Sequence, residues 1–425
     1  MMTLPTEVDV LVVGGGLVGL TLVNALKGSR LSVALIDSQP APREPATSPE
    51  AAEQAKASVV AGFTLNSGVS PRVSAINLAS ENLLKRLGAW PAASAQLQPY
   101  TGMRVWDSRG TASIEFDATM TPSDHLGTLV ENAALTHALY QQALHKQALD
   151  PQTKQPPAHG EITLGYGLGL DTLEATDDGY RATLADGTKI QARLLVGADG
   201  GASVVRQLTN LKTTEWSYEQ QALVTTVETA ADHQGVARQC FTPIGPLALL
   251  PLANPRWCSI VWSSDEAEAL MALDDEQMCR RLTRASEAVL GDVLAVDRRQ
   301  VYPLHQRHAL RYVKPGLALI GDAAHTIHPL AGQGANLGLA DAQALAKELQ
   351  QCRFDGGSPG DVDRLRRYQR TRQPSNLLMT AVMEGFKRLF NSSDPGINWL
   401  RNMGMSMLNK QGTFKAMVAR LASGA

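Results

Sequence analysis

Residues 8–37, VDVLVVGGGLVGLTLVNALKGSRLSVALID, form the stretch of sequence that decides the fold. The stretch divides into a strand, a glycine-rich turn, a helix, a second strand and a closing aspartate: Val8–Val13, Gly14–Gly19, Leu20–Lys27, Leu31–Ile36 and Asp37. Two apolar strands joined through a helix predict a parallel sheet with a right-handed crossover.

The turn of this unit fits the pattern G-x-G-x-x-G through Gly14, Gly16 and Gly19. The first glycine allows the tight turn, the second lets the backbone approach a pyrophosphate, and the third lets the helix pack on the strand. The helix N-terminus then offers free N–H groups to an anion. Asp37 is placed to accept hydrogen bonds from an adenosine ribose, so the unit predicts a dinucleotide site without a 2′-phosphate.

The composition is that of a globular protein of two to three domains, with 425 residues, 44% hydrophobic and 19% charged. A net charge of −2 argues against nucleic-acid binding, and four widely spaced cysteines without a CxxC motif predict neither a metal site nor a disulfide scaffold. The N-terminus lacks the features of a secretory signal, and no run of about 18 apolar residues is present. These features favour a cytoplasmic protein.

Two further loops follow predicted buried strands. Gly321-Asp322-Ala323-Ala324-His325 follows Leu317–Ile320, and the run Pro329–Asn336, with Gly332 and Gly334, leads into a helix. Asp199-Gly200 follows Ala192–Val196, where a helix cap at Ser203 is the simplest interpretation of the loop taken alone. Ligands bind at the carboxyl ends of parallel strands, so the acidic residues of both loops are candidates for cofactor contacts.

The alternation of these pieces along the chain predicts a nucleotide-binding domain interleaved with a β-rich domain. Residues 1–100, 130–150, 192–210 and 312–360 are assigned to the first, and 101–129, 160–191 and 211–311 to the second, the substrate domain. Residues 39–71 read as a flexible insert, and 361–425 as a helical, basic C-terminal region. A helix over Ala79–Leu87 is predicted to be capped by Ser80.

The three loops together resemble the FAD-dependent aromatic-ring monooxygenases in kind, order and spacing. The stretches Arg72–Asn77, Val130–Asn132 and Gly321–Gly334 narrow the resemblance to the ubiquinone-biosynthesis hydroxylases, with the 2-octaprenylphenol 5-hydroxylase type the most similar. This resemblance implies an α/β fold of the aromatic hydroxylase kind: a Rossmann-type FAD-binding domain interleaved with a β-rich substrate domain, followed by a helical C-terminal region.

The resemblance also implies roles for individual residues. It assigns the FAD pyrophosphate to Gly14, Gly16 and Gly19, and the adenosine ribose to Asp37. It places Arg72 beside the pyrophosphate, Asn132 on the flavin side, and Asp199 and Gly200 where FAD and a nicotinamide cofactor both approach. It assigns Gly321 and Asp322 to the ribityl or pyrophosphate region, Pro329 to the reactive edge of the flavin, and Gly332, Gly334 and Asn336 to its pyrimidine end.

The implied chemistry is hydroxylation of a prenylated phenol, with FAD as cofactor, NAD(P)H as electron donor and O₂ as co-substrate. Reduced flavin and O₂ form a peroxide adduct at flavin C4a, whose distal oxygen attacks the ring. A base that meets the phenol hydroxyl would favour the attack, and His325 and His328 are the candidates, with structural roles as the alternative. The alternatives to a hydroxylase are an epoxidase or prenyl reductase on the same fold, and a non-catalytic FAD-binding subunit.

The C-terminal region adds an independent feature. Residues 364–425 carry 11 Lys or Arg and 2 Asp or Glu, with apolar residues interspersed. Such a segment either lies on an anionic membrane, here the inner membrane face, or packs on the protein with a solvated basic face. Partners are therefore the hydrophobic phenol and either a ubiquinone-biosynthesis complex or a membrane surface, and the sequence indicates no oligomeric state.

Overall fold

The computed structural model describes residues 4–44, 59–60, 62–91, 97–110, 113–120, 123–145, 160–326 and 334–391. The strands in these ranges are β1 Glu7–Val13, β2 Val33–Asp37, β3 Val59–Val60, β4 Thr64–Leu65, β5 Val73–Asn77, β6 Gln98–Tyr100, β7 Gly102–Asp107, β8 Ser113–Asp117, β9 Gly127–Glu131, β10 Ile162–Tyr166, β11 Leu170–Thr176, β12 Gly179–Leu184, β13 Lys189–Gly197, β14 Thr213–Thr229, β15 Val236–Thr242, β16 Gly245–Pro251, β17 Trp257–Ser264, β18 Val293–Val296, β19 Gln300–Ala309, β20 Val313–Lys314, β21 Leu317–Leu319 and β22 His325–Thr326. The helices are α1 Leu17–Ala25, α2 Leu78–Arg86, α3 Asn132–Leu144, α4 Val204–Leu208, α5 Ala267–Met271, α6 Asp275–Ala285, α7 Gly334–Gln350, α8 Cys352–Asp355 and α9 Val362–Asn391, with single 3-10 turns at Ala118–Met120 and Gly321–Ala323.

The first sheet has a parallel centre in the order β10, β2, β1, β13, β21. The central strand β1 is apolar on both faces, and Val10, Leu11 and Val12 are fully buried, as expected for a parallel strand covered by helices on both sides. α1 and α7 pack beside this sheet, and their apolar residues belong to the same core as the strands. The carboxyl ends of the parallel strands therefore lie along one edge.

The second sheet is mainly antiparallel, in the order β3, β4, β18, β14, β17, β16, β15, β7, β8, and β19 also pairs with β14. One face packs on α5 and α6 through residues such as Leu247, Ile260 and Met278. Other side chains of this sheet, Ala248 and Leu250 among them, pack against a small third sheet of β5, β9 and β6. The third sheet thus lies between the second sheet and the first domain, and it carries Arg72 and Asn132 at its end.

The predicted interleaving is confirmed, since the first sheet draws its strands from three separated segments of the chain. The assignment of residues 160–191 to the substrate domain is wrong. β10 pairs in parallel with β2, and β11 and β12 extend the same sheet through β13. The nine-residue β13 is long enough to pair with β12 at its start and with β1 along its length, so the meander joins the nucleotide-binding sheet.

Two local predictions also need correction. Within the 39–71 insert, β3 and β4 form a hairpin on β18, and the backbone N–H of Ser67 donates to Asp297 at 2.8 Å, so this part belongs to the second sheet. The rest of the insert at 45–58 and at 61 lies outside the described residues. The helix predicted at Ala79–Leu87 begins at Leu78 instead, because the side chain of Asn77 caps it by accepting from the Ser80 N–H at 2.9 Å.

The long helix α9 accounts for the described part of the predicted C-terminal region, and 392–425 lies outside it. Its buried residues Leu365 and Tyr368 join the core of the first domain. Within the described ranges, no helix is both long enough and apolar enough to cross a membrane.

Candidate functional site

The three predicted loops converge at the carboxyl edge of the first sheet. A Cβ on Gly14 would lie 2.3 Å from the Ala198 carbonyl oxygen, which places the glycine turn directly against the Asp199 loop. A Cβ on Gly321 would lie 3.1 Å from the Val18 side chain, which places the Gly321 loop on the first turn of α1. Residues that are up to about 300 positions apart in sequence therefore build one site.

The glycine turn is shaped for a ligand that approaches the backbone. Gly14 has a φ of +111°, and a Cβ on Gly19 would lie 1.9 Å from the Gly14 carbonyl oxygen, so both glycines are needed by the fold. Gly16 differs, because its φ of −80° suits any residue and its Cβ would meet no atom of the described residues within 4 Å. Gly16 therefore borders open space beside the N–H groups of the first turn of α1, which have no intrahelical acceptors.

Asp37 lies at the end of β2 and holds the turn. One carboxylate oxygen accepts from the Gly15 N–H at 2.6 Å, and the other accepts from the Gln39 N–H at 2.7 Å. Tyr166, at the end of the neighbouring β10, donates its hydroxyl to the Gly15 carbonyl at 3.2 Å. Burial, with Asp37 adding to it, raises the pKa of Tyr166 above its ordinary value. Tyr166 was not among the predicted site residues, because residues 160–191 were expected to belong to the substrate domain.

Asn132 and Asp199 each present an oxygen that lacks a protein partner. The Asn132 Oδ1 and the Asp199 Oδ1 are buried without a hydrogen bond in the described part of the chain, while the Asp199 Oδ2 accepts from the Val205 N–H at 3.0 Å. A buried acceptor without a donor is costly, so each of these oxygens indicates a missing donor. The hydroxyl groups and the ring N–H of a flavin nucleotide are such donors.

Arg72 reaches the site from the third sheet. Its backbone carbonyl accepts from the Asn132 N–H at 2.9 Å, and its exposed guanidinium lies 4.6 Å from the centre of the Tyr302 ring. The buried Glu131 precedes Asn132 at the end of β9, and its carboxylate accepts from the Ser70 N–H at 3.0 Å. This bond attaches the segment before Arg72 to β9. Burial raises the pKa of Glu131 to about 7. Pairing between β5 and β9 therefore delivers Arg72, a point that sequence alone left open.

Asp322 lies in the turn after β21 and is exposed along the site. Desolvation by the surrounding protein raises the pKa of Asp322, while the charges of His325 and Arg72 act in the opposite direction. Arg206 joins this loop to the Asp199 loop, because its buried guanidinium donates to the carbonyls of Ala323 at 2.8 Å and Gly201 at 2.7 Å. The predicted cap at Ser203 is present as well, since its hydroxyl accepts from the Arg206 N–H at 3.0 Å.

Two predicted site residues have other tasks in the structure. The catalytic role predicted for His325 is not supported, because its ring is 2% exposed and its Nε2 lies 2.5 Å from the Asp341 Oδ2. Asn336 also has a structural role: its Oδ1 accepts from the Asn77 N–H at 3.0 Å and its Nδ2 donates to the Ala75 carbonyl at 2.8 Å. Both groups of Asn336 are thus used to attach α7 to β5.

The remaining predicted residues divide into two sets. A Cβ on Gly200 or on Gly334 would meet no atom within 4 Å among the residues that the structure describes, and Gly200 has a φ of +78°. His328, Pro329 and Gly332 lie outside the described residues. No cluster of three or more metal-ligating side chains occurs in the ranges that the structure describes.

These features fit FAD. The open space beside Gly16 would take the pyrophosphate, and the unpaired oxygens of Asn132 and Asp199 would receive its donors. The Rossmann-type unit defines a dinucleotide-binding protein. Its two further loops meet next to a β-rich domain, as the resemblance to flavoproteins of the aromatic-hydroxylase class implies.

Comparisons with known proteins agree with this class. The profile of the FAD binding domain family matches residues 66–381. The chain is 36% identical to 3-demethoxyubiquinol 3-hydroxylase of Escherichia coli over 99% of each chain, and 36% identical to ubiquinone hydroxylase UbiL of Rhodospirillum rubrum over 98% of this chain and 89% of that protein. It is 33% identical to the human mitochondrial ubiquinone biosynthesis monooxygenase COQ6 over 84% of this chain and 83% of that one. The chain belongs to the family of FAD-dependent ubiquinone-biosynthesis hydroxylases, as its sequence motifs predicted.

Solved structures with the same fold include p-nitrophenol 4-monooxygenase PnpA from Pseudomonas putida, with a TM-score of 0.73 and 18% identity over 99% of each chain. PqsL, a probable FAD-dependent monooxygenase from Pseudomonas aeruginosa, has a TM-score of 0.71 and 20% identity over 94% of this chain and 100% of that one. The predicted fold class and the FAD cofactor are confirmed. The roles of the individual site residues remain predictions.

Proposed function

We propose that the protein hydroxylates the aromatic ring of a polyprenylphenol intermediate of ubiquinone biosynthesis. One oxygen atom of O₂ would enter the ring, the other would leave as water, and NAD(P)H would supply two electrons. The observation that carries the proposal is the convergence of the Gly16, Asp199 and Asp322 loops beside an apolar β-domain. The relatives named above are hydroxylases of ubiquinone or its precursors, which supports this substrate class.

FAD, when bound, supplies the redox chemistry and the activation of O₂. The chain's own residues bind and orient it. Gly16 and the first turn of α1 would hold the pyrophosphate, and Asp199 and Asn132 would accept from ligand hydroxyl or N–H groups. Asp322, on a loop tied by Arg206, would face the ribityl or pyrophosphate region.

The substrate ring would lie near Tyr302, whose ring stacks under the Arg72 guanidinium. Tyr302 belongs to a small apolar cluster of the second sheet with Val224 and Leu304. Contact with the partly buried ring of Tyr302 suits a prenylated phenol, because burying each methylene of the tail contributes about 0.8 kcal/mol. Tyr302 donates its own hydroxyl to Gln300, so it would orient the ring by contact rather than take its proton.

The experiment uses the full chain purified with FAD. Oxidation of NADH and of NADPH, O₂ consumption and product mass are measured with a short-chain prenylphenol, and the same phenol without its prenyl group is the matched control. The proposal expects a product heavier by one oxygen, with the prenylated substrate preferred. A saturated prenyl chain without O₂ uptake would identify a reductase, and bound flavin with no turnover of any phenol would identify a non-catalytic subunit.

The ring position and the cellular location are separate parts of the proposal. The relatives include a 3-hydroxylase of 3-demethoxyubiquinol. Hydroxylation at ring position 5, which the resemblance to the 5-hydroxylase type implies, therefore stays a prediction. NMR of the product would identify the ring carbon that carries the new hydroxyl group. The basic C-terminal residues support a peripheral position at the inner membrane face or in a biosynthetic complex. Flotation with anionic and with neutral vesicles would distinguish the two locations. A protein at the membrane face should float with anionic vesicles only, whereas a protein held only in a complex should float with neither.

A further inference from the structure

A single buried carboxylate lies behind the Asp322 loop. Asp341, on α7, is 0% exposed and accepts four hydrogen bonds. The donors are the Gly321 N–H at 3.1 Å, the His325 Nε2 at 2.5 Å, the Arg372 Nε at 2.8 Å and the Asn376 Nδ2 at 3.1 Å. Four donors, two on each oxygen, match the roughly four lone-pair sites of a carboxylate, as a buried ion requires.

Two of the four donors fix the ends of the loop that carries Asp322. Gly321 immediately precedes Asp322, and His325 follows it by three residues. Gly321 has a φ of +58°, a conformation that its bond to Asp341 helps to hold. Because both ends of this short loop are tied to one carboxylate, the orientation of Asp322 depends on where Asp341 is held.

The other two donors come from the C-terminal helix α9. Arg372 and Asn376 lie one turn apart, and the Arg372 Nη2 also donates to the Asn376 Oδ1 at 2.8 Å. On the same helix, the buried Tyr368 donates its hydroxyl to the Leu319 carbonyl at 2.8 Å, on the strand that leads into the loop. The helix is thus attached both to the loop and to the strand that positions it.

Arg372 is also the counter-charge of Asp341. Burial raises the pKa of Asp341, but His325 and Arg372 outweigh burial, so the pKa of this carboxyl lies below its ordinary value. A buried carboxylate that loses its cation is strongly destabilised, and the surrounding loops must then move or admit water. Removal of Arg372 should therefore disturb the Gly321–His325 segment rather than α9 alone.

We infer that Asp341 is a positioning residue of the FAD site and that, through it, the C-terminal helix α9 and FAD binding are energetically coupled. The inference rests on the proposed function only for the binding of FAD beside Asp322. Coupling between two sites is reciprocal, so loosening α9 weakens FAD binding and bound FAD stabilises α9 by the same free energy. The local stability of α9 therefore depends on whether FAD is bound.

The first test compares Arg372→Met with Arg367→Met in the full chain. Arg367 lies on the same helix, but it is exposed and pairs with Glu348 at 2.8 Å, away from the loop. FAD affinity is measured by the quenching of flavin fluorescence on binding. Coupling of ordinary size predicts that Arg372→Met raises the FAD Kd by about tenfold or more, that Arg372→Lys recovers part of the affinity, and that Arg367→Met changes it by less than about twofold.

The second test needs no variant and so avoids any failure to fold. Hydrogen exchange of the wild-type apo protein is compared with that of the FAD-bound protein, and we expect slower exchange in peptides that cover Tyr368–Asn376. Unchanged exchange there, or an unchanged Kd in a folded Arg372→Met protein, would overturn the inference. Neither readout requires turnover, so a protein that binds FAD but hydroxylates no phenol would refute the proposed function while leaving the coupling intact.

Discussion

Replacement of Gly16 by valine should remove FAD without unfolding the protein. Gly16 is the N-cap of α1 with φ −80° and ψ −169°, a backbone conformation that valine adopts readily, and its Cβ would lie more than 4 Å from every atom in the described part of the chain. The side chain would instead occupy the space where a pyrophosphate must contact the backbone. The substitution should therefore leave the stability of the apo protein nearly unchanged while it strongly weakens FAD binding.

The magnitudes follow from the same geometry. Valine is a poorer N-cap than glycine, and this lowers the free energy of unfolding by up to about 1 kcal/mol. Valine also reduces the conformational entropy of the unfolded chain, and this offsets about 0.4–1 kcal/mol of the loss. The apo protein should thus keep its free energy of unfolding to within about 1 kcal/mol. Loss of close backbone approach to the pyrophosphate should raise the FAD Kd by at least about 100-fold, or about 2.7 kcal/mol.

Gly19→Ala serves as the contrasting variant in the same turn. Its Cβ would lie 1.9 Å from the Gly14 carbonyl oxygen, so the first turn of α1 and the Gly14 backbone would have to move apart. Overpacking of this kind costs about 1–3 kcal/mol, and the apo protein itself should lose stability. Urea unfolding of both apo variants and FAD titration of each give the comparison. Stoichiometric FAD in Gly16→Val, or apo unfolding of Gly16→Val as early as that of Gly19→Ala, would refute this account of the turn.

Three further outcomes are expected. Asp322→Ala should lose bound flavin while the apo fold survives, since Asp322 is exposed, and a fully yellow Asp322→Ala protein would contradict its placement. Glu131→Gln tests the pKa of about 7 of the Glu131 carboxyl in the folded protein, which lies above the ordinary value of 4.5. The native state therefore holds this proton more tightly than the unfolded chain does. The resulting stabilisation is complete below pH 4.5 and is lost as the pH rises through 7. From pH 4 to 8 the wild-type apo protein should therefore lose about 3 kcal/mol relative to Glu131→Gln, and parallel urea-stability curves of the two proteins would disprove the shift. Arg206→Met should weaken FAD binding and lower the thermal stability of the apo protein together, because Arg206 joins the carbonyls of Gly201 and Ala323; a change in only one of the two properties, relative to the exposed Arg181→Met, would contradict this role.

The extent to which the site could be predicted differs from residue to residue. Gly14, Gly16, Gly19 and Asp37 form a local pattern, because the strand, turn and helix that give them their roles are contiguous in sequence. No local pattern of this kind predicted the contact between His325 and Asp341. Its motif identifies a loop, but only the register of β22 and the position of α7 determine that its ring faces Asp341.

Asp341 lies outside the motifs, although the sequence contains a signal of its role. Asp341 is an ionisable residue on the apolar face of a helix, where Leu345 and Leu349 are also buried. A carboxylate in such a position is expected to have partners, yet a sequence cannot name them when they lie 20 residues upstream and 31 residues downstream. The third sheet was hidden for a similar reason, since β5 pairs with β9, which lies about 55 residues further along the chain.

Sequence by itself determined the βαβ unit and its dinucleotide site, because both depend on short-range patterns of glycine, apolar residues and aspartate. The order and spacing of the three loops then carried the resemblance to FAD-dependent hydroxylases, which implied the class of protein and the FAD cofactor. Only the tertiary structure decided which strands extend the nucleotide-binding sheet, that Asn336 attaches α7 to β5, and that α9 shares a carboxylate with the Asp322 loop. The physical reason is that these features are hydrogen bonds between distant segments. Strand pairing and buried ion pairs are selected by the packing of the whole domain, and local propensity does not specify the partner.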